Sequence, residues 1–124
     1  MKAINRIIER ARTAPRRIVL CEAEDPRMLE AAQRATREGI ARIVLVGPVA
    51  HIRAAAAVQN IDLSGMELVD PATSPLAPSF AEALFALRSK KGMTLDEAQQ
   101  EILKPLCFAN LMVRLGHADG SVAG

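Results

Sequence analysis

The sequence predicts an α/β fold built on a parallel sheet, on three observations. Residues 17–21 and 42–46 are short apolar runs led by Ile-Val, without the polar alternation of a half-exposed strand, so both read as strands buried on two faces. Each run is followed by a turn and then by apolar residues at helical spacing. The composition is 50% apolar but only 2% aromatic, with three Phe and no Trp or Tyr, so the core must be aliphatic. Strand and helix alternating at this spacing is the signature of βαβ units.

The elements follow in order. Ile4, Ile7, Ile8 and Ala11 recur at helical spacing, predicting a short helix over residues 2–13 that Pro15 ends. After the first strand, Asp25 is a good N-cap and Pro26 suits the first helical position. Met28, Leu29, Ala31, Ala32 and Ala35 carry that helix to Gly39. The second strand leads through Gly47-Pro48 into a helix containing Ile52 and the alanines 54–57, ending near Asn60. Residues 66–70 form a weaker third strand. Pro71, Pro75 and Pro78 then mark a loop. Ser79 with Glu82, and Thr94 with Glu97, have capping-box spacing and predict helices over 80–91 and 95–104. Pro105 interrupts, and residues 106–115 are apolar on nearly every side, which predicts a largely buried helix. Residues 116–124 read as a turn entering another strand, and the sequence looks cut there rather than finished.

At 124 residues the chain has the size of one domain, and its 24% charged content beside 50% apolar content excludes intrinsic disorder. The formal charge is +2, but the basic excess lies at the start, where Lys2, Arg6, Arg10, Arg12, Arg16 and Arg17 face Glu9 alone. A patch for phosphate or nucleic acid is one reading of it. The solvated face of an amphipathic helix is the simpler one. The lack of aromatic faces speaks against a base-stacking nucleic-acid binder. No run of 18 apolar residues and no signal-peptide core is present, so neither membrane nor export is expected. Cys21 and Cys107 have no metal-type spacing partner and read as two reduced thiols of a cytoplasmic protein.

Four constellations bear on chemistry. Gly47-Pro48 stands where a phosphate loop would stand, but the glycine pattern of a nucleotide site is missing and a tight turn suffices. Glu22, Glu24 and Asp25 fall at the carboxyl end of the first strand, where open α/β sheets place ligands, although Asp25 already has a capping role. His117 with Asp119 lacks the third ligand that a metal needs, and His51 has no evident partner, so no metal site is assigned. Residues 118–124 alternate small side chains, poor for filling a core and suited to close approach of backbone to a ligand. Asp119, Gly120, Ser121 and Gly124 are therefore the substrate-cleft candidates, with Gly120 expected to need a positive φ and Asp119 to hold the turn.

Several segments together resemble phosphate acetyltransferases (phosphotransacetylases). They are residues 17–27, Arg-Ile-Val-Leu-Cys-Glu-Ala-Glu-Asp-Pro-Arg; residues 29–32 and 38–41; residues 94–98, Thr-Leu-Asp-Glu-Ala; and residues 108–124, from Phe108-Ala-Asn-Leu to Gly-Ser-Val-Ala-Gly124. The match is in order and covers essentially all of the chain. Ala23 stands where the family often has glycine, and His117 where it often has aspartate.

The resemblance implies a three-layer, Rossmann-like α/β domain. It would be part of a truncated isocitrate-dehydrogenase-like two-domain fold whose active site lies between the domains. Residues 1–124 would be its N-terminal portion. The implied reaction is acetyl transfer between coenzyme A and inorganic phosphate, with coenzyme A as substrate and no cofactor. The family's catalytic aspartate, serine and arginines fall beyond Gly124, so no catalytic residue is assigned here and the chain alone is expected to be inactive. A phosphate butyryltransferase would share this scaffold. A non-catalytic acetyltransferase-like module, as found in some malic enzymes, is the alternative of another class. Apolar surface at 106–115 and 120–124 predicts a homo-oligomer.

Overall fold

In the computed structural model, which describes residues 16–123, four strands form one parallel sheet. They are β1 (Arg16–Leu20), β2 (Ala41–Val46), β3 (Glu67–Val69) and β4 (Gly120–Val122), in the order β3-β2-β1-β4. The helices are α1 (Pro26–Arg37), α2 (Val49–Val58), α3 (Ala77–Arg88), α4 (Leu95–Glu101) and α5 (Pro105–Arg114). The helix expected over residues 2–13 and the candidate Gly124 lie outside the described residues.

The two central strands bury both faces, and the side-chain period of two decides what each face meets. Val19, Cys21, Val44 and Val46 pack with Phe80, Leu84, Ile102, Phe108 and Met112 from α3, the end of α4 and α5. Leu20, Ile43 and Leu45 pack with Leu29, Ala32, Ile52 and Ala56 from α1 and α2. One sheet between two helical layers is the three-layer α/β architecture that the sequence predicts. Phe80 and Phe108 are both fully buried, with ring centroids 4.7 Å apart and tilted by 45°, a favourable aromatic geometry at the centre of the first layer.

Helix starts follow their caps. The Asp25 carboxylate accepts the Arg27 N–H at 2.9 Å, with Pro26 in the first turn of α1. At α4 the full capping box forms: Thr94 Oγ1 accepts the Glu97 N–H at 3.1 Å, and Glu97 Oε1 accepts the Thr94 N–H at 3.2 Å. The box expected from Ser79 and Glu82 does not form. Pro78 fits the first turn, so α3 begins at Ala77, and the Ser79 hydroxyl donates to Leu76 O at 3.0 Å from inside the helix.

Three helices that lead into the next strand or loop end alike. Gly39, Asn60 and Gly116 take φ of 66°, 54° and 83° after α1, α2 and α5. The following residue returns its N–H to the helix: Ile40 to Ala35 O at 3.0 Å, Ile61 to Ala56 O at 2.8 Å and His117 to Met112 O at 2.7 Å. This is the Schellman arrangement, which satisfies the last carbonyls and reverses the chain toward the sheet. The positive φ before β4 therefore belongs to Gly116 and not to Gly120, which is extended and paired with Ile18. The expectation of full burial for α5 also needs correction. Phe108, Ala109, Leu111 and Met112 are buried, but Leu106 is 54% exposed and Asn110 faces out, because α5 has only one neighbouring layer.

Candidate functional site

β1 runs to β2 and β3 on one side and has β4 on the other, so the order of connection reverses between β1 and β4. In open α/β sheets a ligand sits outside the carboxyl ends of the strands at such a reversal. The carboxyl ends of β1 and β2 here frame a cleft of about 260 Å³, lined by Cys21, Glu22, Glu24, Gly47, Pro48 and Pro105 among others. The acidic cluster seen in the sequence is therefore where it was expected. Its members are engaged within the fold. Asp25 caps α1, and its hydrogen bonds with the Arg27 backbone and side chain hold its carboxyl below the usual range. Glu24 Oε1 lies 3.5 Å from His51 Nδ1, which supplies the partner that His51 lacked in the sequence.

The helix end beside Gly47-Pro48 is also taken. The Val49 N–H donates to Asp70 Oδ2 at 3.3 Å, and Oδ1 of the same carboxylate accepts the Ala72 N–H at 3.0 Å. An aspartate at the end of β3 thus fills the anion position that a nucleotide phosphate would use, which favours the tight-turn reading. Burial and the neighbouring Glu22 push the Cys21 thiol up, so it is no activated nucleophile.

The small-residue segment forms β4. Gly120, Ser121 and Val122 pair with Ile18, Val19 and Leu20. Asp119 lies at the amino end of that strand, away from the carboxyl-end cleft, and faces backbone: Oδ2 accepts the Arg17 N–H at 2.8 Å, while its own N–H donates to Arg17 O at 2.8 Å. His117 goes elsewhere, its ring 5.5 Å from that of Phe80. The two do not converge on a shared ligand position.

A second concavity joins residues that the sequence analysis did not connect. It is a groove of about 480 Å³ on the α3–α5 layer, and its apolar lining is Leu84, Leu87, Leu106 and Leu111. Arg88, Lys91, Lys104 and Arg114 rim it, with Glu101 as the acidic lining residue. Lys104 is paired with Glu101 at 3.0 Å, whereas Arg88, Lys91 and Arg114 have no ion pair among the described residues. Cys107 also lines the groove, and burial and Glu101 push its thiol up.

Comparison with known proteins decides the family. The family model described as phosphate acetyl/butaryl transferase matches residues 2–124. This chain belongs to that family. Phosphate acetyltransferases of Clostridium acetobutylicum and Thermoanaerobacterium thermosaccharolyticum are 38% and 40% identical to it over all 124 residues. The chain spans 37% of the length of each of these relatives. The structure of the EutD phosphotransacetylase from Staphylococcus aureus superimposes with a TM-score of 0.88 at 30% identity, over 97% of this chain and 36% of that one. A phosphotransacetylase structure from Streptococcus pyogenes, 24% identical, shares the fold with a TM-score of 0.81.

The chain thus corresponds to about a third of the length of these transferases. The basic groove escaped the sequence analysis because Arg88 and Arg114 end two different helices while Lys91 and Lys104 lie in the segments between them. A sequence signal did exist: Arg88 with Lys90-Lys91 before Gly92, and Arg114 before Gly116, mark cations at helix ends that the fold brings to one face.

Proposed function

We propose that the protein to which this α/β portion belongs transfers an acetyl group between coenzyme A and inorganic phosphate. What supports the reading is the match of the whole chain to one family, with phosphate acetyltransferases as its relatives. In the acetyl-CoA-forming direction a base takes the proton of the CoA thiol, since the thiolate is the useful nucleophile. The sulfur attacks the acetyl carbonyl, the bond from carbonyl carbon to phosphate oxygen breaks, and phosphate leaves. The base and the oxyanion donors are supplied by residues beyond Gly124, in a second domain of isocitrate-dehydrogenase-like arrangement. Coenzyme A is a substrate, and the protein works as a cytoplasmic homo-oligomer without a cofactor.

The share of the described residues is electrostatic. Both substrates are phosphate anions, and the α3–α5 groove offers three cations without an ion pair among the described residues, above an apolar floor. Unpaired guanidinium groups suit phosphate, which they can hold with two parallel hydrogen bonds. Arg88 and Arg114 are the residues we place against the phosphates of coenzyme A. Positive charge at the rim also draws the anion in from solution.

Thioester formation from acetyl phosphate and coenzyme A tests the reading. The 124-residue chain alone should give no turnover above the blank. The chain joined in frame to the remaining two-thirds of the Clostridium acetobutylicum relative should turn over. Faster turnover of butyryl phosphate than acetyl phosphate would move the assignment to a butyryltransferase. A folded joined protein inactive toward both substrates would sink it.

A further inference from the structure

We infer that Asp119 is a positioning residue: its carboxylate fixes the register of β4 against β1, and thereby where the chain leaves β4 beside the carboxyl end of β1. Strand register is normally set by burying one face, because a slip of one residue turns every side chain over. β4 has little to bury. Gly120 has no side chain, Ser121 is exposed and Val122 is 47% exposed. A small-residue strand of three positions is the kind whose register burial specifies weakly.

The side chain of Asp119 supplies what burial does not. Its Oδ2 accepts the Arg17 N–H at 2.8 Å and its N–H donates to Arg17 O at 2.8 Å, so the two bonds close on the backbone of one residue. A slip by one position breaks both, since the next N–H and C=O along β1 point to the opposite edge. Just before this clamp the Schellman turn at Gly116–His117 fixes the direction of approach. With both in place, Val122 O comes to 3.9 Å from Cys21 Sγ at the carboxyl end of β1. Whatever follows Val122 starts from that point beside the carboxyl end of β1. The functional half of the inference rests on the acetyltransferase reading; the structural half does not.

One reporter reads the register without activity. Cys21 and Ala123 each lie one step past the Leu20–Val122 pair, so continued register sets them side by side. In a Cys107→Ser background, Ala123→Cys should form a disulfide with Cys21 under mild oxidation, because paired residues of neighbouring strands point to the same face. Adding Asp119→Ala should lower the crosslinked fraction at least fivefold. Asp119→Asn, which keeps an acceptor oxygen, should stay within twofold of the parent. In the joined protein, Asp119→Ala should lower kcat at least tenfold with KM for both substrates within threefold, and Asp119→Asn should restore it. Undiminished crosslinking in Asp119→Ala overturns the register claim, as does Asp119→Asn behaving like Asp119→Ala. Lost crosslinking with unchanged kcat overturns the positioning role. An inactive joined protein that still crosslinks with the expected Asp119 dependence supports the register claim and counts against the acetyltransferase reading alone.

Discussion

The carboxyl-end cleft and the α3–α5 groove differ in how their charges are spent. In the cleft, Asp25 holds α1 and Glu24 faces His51, while Asp70 closes the helix end beside it. In the groove, Lys104 is the one rim cation with a counter-ion among the described residues, and Arg88, Lys91 and Arg114 present charge to solvent. The position favoured by general α/β rules thus carries carboxylates with structural duties, and the position without a motif carries the charge available for an anion. A charge already hydrogen-bonded within the fold contributes to its architecture; an unpaired one at a concave surface is free for a ligand.

The two regions share one support, and removing it gives the largest effect. α5 lines the cleft with Pro105 and the groove with Leu106, Leu111 and Arg114, and Phe108 anchors it at zero exposure against Phe80. Phe108→Ala should cost about 3–5 kcal/mol in denaturant unfolding. A cost below about 1 kcal/mol would show that α5 is not held by this contact.

The contrast in charge use is sharpened by Arg88→Gln with Arg114→Gln. Both residues are exposed, so stability should stay within about 0.5 kcal/mol. In the joined protein, KM for coenzyme A should rise about tenfold, equivalent to about 1.4 kcal/mol, and the rise should shrink as salt is added. An unchanged KM would leave these arginines with only their place near helix carboxyl ends to account for them.

The smallest effect concerns the cleft. Hydrogen bonds from the Arg27 backbone, and then its side chain, hold the Asp25 carboxyl below its ordinary value of 3.8. Its stabilisation of the fold is therefore fully present above that value and is lost as pH falls through the lower folded value. Asp25→Ala should remove that part of the acid dependence, seen as a flatter melting temperature below pH 4. An unaltered acid limb would mean that the cap does not report through this carboxylate.

Much of the scaffold was legible, for local reasons. Ile-Val-Leu runs without alternation can only be strands covered on both faces, and Asp25-Pro26 and Thr94–Glu97 mark helix starts by chemistry within three residues. What was misread depended on competition or distance. Ser79–Glu82 had the spacing of a cap but lost to Pro78, which let the helix begin earlier. Gly120 was credited with the left-handed conformation that Gly116 takes, because either glycine could end the preceding helix on paper. The Glu24–His51 contact and the Asp70 cap on α2 join residues 21 or more positions apart, the groove gathers residues from Leu84 to Arg114, and no periodicity reports such neighbours.

The strand order also has a consequence in time. The partner of β1 on one edge, β4, follows at a separation of 102 residues between Arg17 and Asp119. At a ribosomal pace of about 5–20 residues per second, that edge waits about 5–20 s for its strand, while β2 pairs much earlier on the other side. An unpaired apolar edge invites another nascent chain, and charged residues at its end are a natural deterrent. Arg16 and Arg17 stand at the start of β1. Like charge at that end disfavours pairing with a second nascent copy in the interval before β4 arrives.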